Sequence, residues 1–241
     1  MGVERFIPPN ELIYGLTVGE RSVRYYVGSI EQLWLIAYIH NTEAAILEEV
    51  SASLTEDDLL LDVGANLGVY SSVAGTAGAD VAAVEPLQGN GSVALKNIKL
   101  NCEDAQLLPF ALSDTNGLVG MEAKESSEVD DQAAIGGSSI TVSALRGDVL
   151  VDRHLNRTPS AVKIDVEGSE LEVLDGLSQT LSSDDCRRVF LEVHTDQLPS
   201  ETGPSEVQAQ LESCGFSTSI IEQRDQTGDE VADQVFIAGK K

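Results

Sequence analysis

The sequence predicts an α/β fold built on a mostly parallel sheet that ends in an antiparallel hairpin. Three observations carry that prediction. Short apolar strand patterns alternate with helical stripes from residue 59 to 111, and again from 161 to 214. Such alternation implies right-handed crossovers between parallel neighbours. Two final strand patterns, near 216–223 and 234–239, are separated by Asp225-Gln-Thr-Gly-Asp-Glu230, and a short Gly-containing link joins antiparallel neighbours. With 241 residues the chain suits one large α/β domain with an ample core, and two full domains would be a squeeze.

In chain order, residues 1–30 mix Pro8-Pro9, glycines and alternating aromatics and are expected to be irregular, with one or two short strands. Helical spacing begins near Glu31 and is clear at Ile46, Val50 and Leu54, an i, i+4, i+8 stripe. The segment 1–56 is expected to pack on the sheet edge or cover the ligand cleft of a compact unit spanning 57–241. A strand near 59–63 leads to a helix near 68–77, a strand near 80–85, a helix near 90–101 and a strand near 106–111. The polar stretch 123–139 then breaks the rhythm between short strands near 117–122 and 138–143. It is expected to be a mobile loop, either a lid or an acidic insert. A strand at 161–166 resumes the alternation, followed by a helix with the stripe Leu171, Leu174, Leu177, Leu181. After a strand at 188–193 comes a helix with Val207, Leu211 and Cys214 on one face. No internal repeat is present.

Composition excludes several function classes. Forty acidic residues oppose fifteen basic ones, a formal net charge of −25. That argues against nucleic-acid or anionic-membrane partners, which need a basic footprint. The excess, with few lysines, looks like the surface of a protein from a high-salt cytoplasm, where self-repulsion is screened. Cys102, Cys186 and Cys214 are an odd, widely spaced set, expected to be buried small hydrophobes in a reducing compartment. The N-terminus lacks a basic-then-apolar signal pattern. The longest apolar run, Leu33 to Ile39, is far short of the roughly twenty residues of a membrane helix. A cytoplasmic protein without membrane insertion is expected.

The chemistry concentrates in Leu59-Leu-Leu-Asp-Val-Gly-Ala-Asn-Leu-Gly68. An apolar strand runs into Asp62 and then a turn with Gly64, Asn66 and Gly68 at alternate positions. Glycines leave the backbone open to a ligand and tolerate positive φ. The helix starting near Gly68 aims its free N–H groups at the same place. Seventeen residues after Gly68, Glu85 ends a second apolar strand, within reach of a ribose's two hydroxyls. The pair reads as a nucleoside site at the first crossover of the sheet. The dinucleotide pattern G-x-G-x-x-G fails, because its third and sixth positions hold Asn66 and Val69. No lysine follows Gly68, so the phosphate loop fails too. Asp62 would repel a polyphosphate and attract the ammonium and sulfonium of S-adenosylmethionine.

The loop D-x-G-x-N-x-G resembles motif I of class I methyltransferases, with Asn66 in place of the usual middle glycine. Asn adopts the left-handed conformation readily, so the change is physically mild. Three further segments, Val84-Glu-Pro86, Val162-Lys-Ile-Asp-Val-Glu-Gly-Ser-Glu-Leu171 and Leu191-Glu-Val-His194, follow in the order seen in FkbM-type methyltransferases. The resemblance covers roughly residues 40–195. It implies a Rossmann-like methyltransferase sheet, S-adenosylmethionine as cofactor, and O-methylation of a hydroxyl on a small molecule or glycan sugar. A non-catalytic S-adenosylmethionine-binding regulatory protein is the alternative.

The candidate cofactor residues are Asp62, Gly64, Asn66, Gly68, Glu85 and Ser113. Asp62 could hold the methionine ammonium through a water, or simply cap the helix. Ser113, in Ala111-Leu-Ser113-Asp114, lies where the family would bind adenine. The candidate catalytic residues are Asp165, Glu192 and His194. Asp165 ends a strand and points into the crevice; Glu192 and His194 are two apart on another strand and share a face. An imidazole suits removal of the acceptor's proton near neutral pH, and Asp165 or Glu192 could orient or replace it. Glu167 is read as complementing a helix dipole. No metal is assigned, with a divalent cation on Asp165, Glu192 and His194 as the alternative. His40 and His154 are read as packing or surface residues.

Overall fold

The structure, a computed structural model, describes residues 12–122, 134–135, 140–198, 202–224 and 234–241. Its elements run β1 (Leu12–Val18), β2 (Arg21–Val27), α1 (Ile30–Thr42), α2 (Ala44–Ser53), β3 (Leu59–Val63), α3 (Val69–Thr76), β4 (Asp80–Val84) and α4 (Gln88–Lys99). Then follow β5 (Ala105–Leu108), β6 (Ala111–Ser113), β7 (Gly117–Glu122), β8 (Ala134–Ile135), β9 (Ile140–Arg146) and α5 (Gly147–His154). The chain closes with β10 (Ala161–Ile164), α6 (Glu170–Gly176), α7 (Ser178–Ser182), β11 (Arg188–His194), α8 (Pro204–Ser213), β12 (Ser217–Arg224) and β13 (Gln234–Lys240).

Seven strands form the central sheet in the order β12-β13-β11-β10-β3-β4-β5. The five from β11 to β5 are mutually parallel, and β13 runs antiparallel to both its neighbours. Strand order therefore steps outward from β3 to β5 and restarts at β10 on the other side. The crevice between the carboxyl ends of β3 and β10 is the position where open α/β sheets bind ligands.

Alternation along the strands splits the core into two layers. Leu60, Val81 and Ala83 face the layer containing α3, α4 and the N-terminal elements, whereas Leu59, Leu61, Val63, Ala82 and Val84 face the layer containing α6 and α8. Val23, Tyr25, Ile36, Leu47 and Val50 bury into the first layer beside Val73 and Ile98, so the N-terminal segment shares a core with the sheet. The stripe Ile46, Val50, Leu54 is buried, and so are all three cysteines, each a free thiol. His40 packs against Tyr25, with 2.7 Å between the hydroxyl and Nε2, and His154 is exposed at the end of α5. Among the described residues, no helix is long and apolar enough to cross a membrane.

Four expectations need correction. Residues 12–27 hold both of the short strands expected there, but as a regular hairpin and not within irregular structure, paired in register from Leu12 with Val27 to Val18 with Arg21. The third strand stops at Leu108, where Pro109, lacking an N–H, cannot continue the ladder; Ala111–Ser113 joins the separate sheet β6-β9-β7-β8 instead. The leucine stripe is two short helices, with Leu171 only partly buried. Gly176 lies where a Cβ would come 2.1 Å from the Ser113 carbonyl, and the chain turns there. Helix α5 was not anticipated, because within it Leu150 is the one large apolar side chain buried. The expected lid falls mostly on residues 123–133 and 136–139, outside the described residues; Ala134–Ile135 pair with Met121 and Glu122 of β7.

Candidate functional site

The loop after β3 is shaped by its neighbours. The N–H groups of Gly64 and Ala65 both donate to the Val84 carbonyl at 3.0 Å, tying the loop to the end of β4. Gly64 has φ +76°, and a Cβ there would sit 1.8 Å from the Asp165 carbonyl oxygen, so the close passage of the β10 end demands glycine. Asn66 has φ +50°, the left-handed conformation its type tolerates. Gly68, φ +74°, starts α3 against Ala94 and Ile98 of α4. Its lack of a side chain serves helix packing.

Glu85 extends from the end of β4 under this loop. Its carboxylate accepts the Asn66 N–H at 2.9 Å and the Leu87 N–H at 2.7 Å. Burial pushes its pKa up to about 7, against the pull of those two N–H groups. Asn66 Oδ1 is buried without a hydrogen-bond partner among the described residues, an acceptor that would suit a cationic donor.

Asp62 is placed differently from its expected contact with ligand. It is fully enclosed, and Oδ2 accepts the Ser71 N–H at 3.1 Å and the Ser71 hydroxyl at 2.6 Å. It thus braces the first turn of α3, and it does not line the crevice. Ser113 also points elsewhere: its hydroxyl donates to Asp114 at 3.1 Å, while Ala111 and Leu112 line the crevice.

The second half of the site is a charged cluster at the ends of β10 and β11. Lys163, a buried cation within an apolar strand, lies 3.0 Å from Asp165 and 3.8 Å from Asp62. Its pKa is raised: burial opposes the charge, but Asp165 and Asp62 outweigh it. Burial likewise works against the charge of Asp165, and Lys163 and then His194 overcome it, holding that carboxyl below the ordinary range. Sequence reasoning missed Lys163, although a lysine between Val162 and Ile164 was a visible signal.

His194 is ringed by carboxylates. Nδ1 is 2.9 Å from Glu170 Oε1, and Nε2 is 3.5 Å from Glu167, 3.8 Å from Glu192 and 3.9 Å from Asp165. Burial alone would lower its pKa, yet the Glu170 hydrogen bond and the other three acids raise it to about 10. His194 therefore carries a proton at neutral pH and does not line either cavity described below. In that state the imidazole has no lone pair free to take the acceptor's proton, whereas Asp165, Glu167 and Glu192 beside it are acceptors.

Glu167 was also misread. Its φ is +51°, a strained value for a glutamate; it lies ahead of the Ser169 cap of α6 and lines both cavities described below. Its pKa is pushed up to about 7 by burial, tempered by His194, and Gln197 Nε2 donates to it at 2.8 Å. Nothing in the sequence signals that backbone conformation. Atoms of Asp165, Glu167 and His194 lie within 4.8 Å of one another, a spacing that a cation could bridge; Glu192 stands beside this group.

Two cavities meet here. A narrow crevice of about 70 Å³ is lined by Gly64, Asn66, Glu85, Leu112, Met121 and Asp165, among others. A wide cavity of about 660 Å³ lies between α1 and the sheet, lined by Trp34, Tyr38, Glu43, Glu192 and Gln234. Asn66, Asp165 and Glu167 line both.

Comparison with known proteins gives this arrangement a context. The family model described as the methyltransferase FkbM domain matches residues 62–218. A curated relative from Haloferax volcanii, hexuronic acid methyltransferase AglP, is 30% identical over 202 residues, covering 83% of this chain and 80% of the relative. Among solved structures, magnesium protoporphyrin IX methyltransferase from Synechocystis with bound S-adenosylmethionine matches with a TM-score of 0.50 at 13% identity, over 88% of this chain and 83% of that one. A likeness that remote speaks for the fold alone. The FkbM methyltransferase structure from Methylobacillus flagellatus matches 76% of this chain at 15% identity and a TM-score of 0.48, and this chain spans 44% of its length.

Proposed function

This chain belongs to the FkbM family of S-adenosylmethionine-dependent methyltransferases, and from that premise we propose that it methylates a hydroxyl of a glycan sugar or a related small molecule. One observation carries the reading: the narrow crevice beside Glu85 and the wide cavity beside Glu192 share the wall Asn66, Asp165, Glu167. Cofactor on one side and acceptor on the other would meet at that wall.

The residues fit the cofactor. Glu85 would hold the ribose hydroxyls, and the unpartnered Asn66 Oδ1 would accept from the methionine ammonium. Asp62 acts indirectly by bracing α3, Gly64 and Gly68 shape the loop, and the chain beside Ser113 contributes Ala111 and Leu112 to the adenine end. When bound, S-adenosylmethionine supplies an electrophilic methyl on a cationic sulfur.

On the acceptor side Asp165, kept ionised by Lys163 and His194, accepts a hydrogen bond from the hydroxyl and orients it. Glu167 takes its proton; a carboxylate facing the shared wall with a pKa near 7 is matched to that task. His194 holds Asp165, Glu167 and Glu192 in place as their common counter-ion. No metal enters this scheme.

The name of the Haloferax relative points to sugars that carry a carboxylate. That relative and the net charge of −25 support a high-salt cytoplasm as the setting; a melting temperature that climbs from about 0.1 M to 1 M salt checks it. The function itself is tested by incubating the protein with S-adenosylmethionine and a panel of glucosides and glucuronides. Release of S-adenosylhomocysteine with an alkali-stable methyl ether on the sugar is expected. Cofactor binding without turnover on any saccharide would return the reading to a regulatory protein.

A further inference from the structure

Helix α1 carries an unusual face. Ile30, Trp34 and Tyr38 recur at i, i+4 and i+8, and are 65%, 71% and 47% exposed. Residues at this spacing stack along one side of a helix. Large apolar side chains exposed together mark a binding surface more often than an accident of composition. The helix beneath them is fixed: Ile36 is fully buried, the Ser29 side chain caps the first turn, and Gln32 accepts the Gly28 N–H at 2.7 Å. A platform on such a helix is already rigid.

This face continues into the wide cavity. Trp34 and Tyr38 line it together with Glu43, Asp165, Glu167 and Glu192. An aliphatic ligand would strip water from those carboxylates without replacing its hydrogen bonds. A nucleic acid or an anionic membrane, presenting many negative charges at once, would be repelled by them far more than a sugar with a single carboxylate. A pyranose ring suits a lining that is both aromatic and acidic, because its C–H face stacks on an indole while its hydroxyls donate to carboxylates.

Resting on the reading that the acceptor is a sugar, we propose that Trp34 and Tyr38 are a carbohydrate-stacking platform that seats a pyranose ring against Asp165 and Glu167. Tyr38 and Trp34 set the plane of the ring, and the acids of the same lining select the hydroxyl that faces the cofactor. The platform thus contributes to specificity as well as affinity.

Trp34 is the chain's one tryptophan, so its fluorescence reports this surface alone. The full chain with S-adenosylhomocysteine is titrated with methyl β-glucoside, methyl β-glucuronide and a glucuronate-containing disaccharide. A saturable change in emission is expected with at least one, and none with neutral phospholipid vesicles. Trp34→Ala should raise the KM for the best sugar acceptor about tenfold, more than it changes kcat, with S-adenosylmethionine affinity unmoved. Trp34→Phe should restore most of the loss. A sugar methylated with the same KM by wild type and Trp34→Ala overturns the platform and leaves the proposed function standing. Turnover on non-saccharide acceptors only, with emission unmoved by every sugar, sinks both. A dimer that dissociates on Trp34→Ala, or vesicles that shift the emission, would assign this face to another occupant.

Discussion

The main-chain carbonyl of Asp165 occupies the space that any side chain on Gly64 would need, 1.8 Å from where its Cβ would sit. The cofactor loop and the strand end bearing the acceptor-side carboxylates are therefore packed as one object. Gly64→Ala must push these two segments apart and also force alanine to φ +76°. Together the left-handed strain and the overpacking should remove roughly 2–6 kcal/mol of stability. Urea unfolding at fixed salt measures the loss. A variant as stable as wild type would mean that β10 has room to move.

Lys163 sits between Asp62 and Asp165 with almost no exposure. Replacing it with Met keeps the bulk, leaves the buried Asp62 without a cation and leaves the partly exposed Asp165 with His194 alone. Removing one partner of a buried pair costs about 3–5 kcal/mol. Part of that loss should be recovered at low pH, where the two acids can take up protons. If Lys163→Met unfolds at the same urea concentration as wild type at neutral pH, water already compensates those charges.

Much of the frame was legible because it rests on patterns that local sequence carries. Short apolar runs near 59–63 and 80–85 located the strands, and the D-x-G-x-N-x-G loop located the crevice. Positive φ at Gly64, Asn66 and Gly68 follows from residue type. What stayed hidden depends on residues far apart in the chain. Asp62 could be read as ligand or cap, and its hydrogen bonds to Ser71, nine residues on, appear only in the fold. His194 reads as a base in isolation, but Glu170, Glu167, Asp165 and Glu192, brought to it by the fold, raise its pKa. Glu167 depends on a backbone angle that no side-chain pattern announces.

Glu85 makes two hydrogen bonds to backbone N–H groups, which fix its carboxylate beside the crevice. Glu85→Ala should weaken S-adenosylmethionine binding at least tenfold, since each charge-assisted bond to the ribose is worth about 1.5–3 kcal/mol. Calorimetric titration reads the change, with circular dichroism confirming the fold. An unchanged dissociation constant would move the ribose contacts elsewhere.

Rate and stability should respond to pH in opposite ways. Glu167 must be ionised to accept a proton, so kcat should climb as pH rises through about 7. Glu167→Gln should lose roughly 10²–10⁴-fold in kcat and the climb with it. His194 has a folded pKa of about 10 against an ordinary 6.5, so its contribution to stability is complete below about 6.5 and lost as pH rises toward 10. Chemical denaturation across that window should show the decline, and His194→Gln should flatten it. A kcat profile that is flat through pH 7 in wild type would remove Glu167 as the base.

Chelation separates the two chemistries that the acid cluster permits. Proton transfer to Glu167, with His194 as counter-ion, needs no cation, so extensive dialysis against EDTA should leave kcat and KM unchanged. A divalent ion bridging Asp165, Glu167 and His194, whose ligand atoms lie within 4.8 Å of one another, would have to displace the His194 proton first. That competition predicts a distinct signature: activity lost on chelation, restored by magnesium or manganese, and restored at lower metal concentration as pH rises. Seeing that signature would make Asp165, Glu167 and His194 ligands; the ion would supply acidification of the acceptor hydroxyl, whose proton would then pass to solvent water and not to Glu167. Activity indifferent to EDTA at every pH keeps the proton on His194 and the acceptor's proton on Glu167.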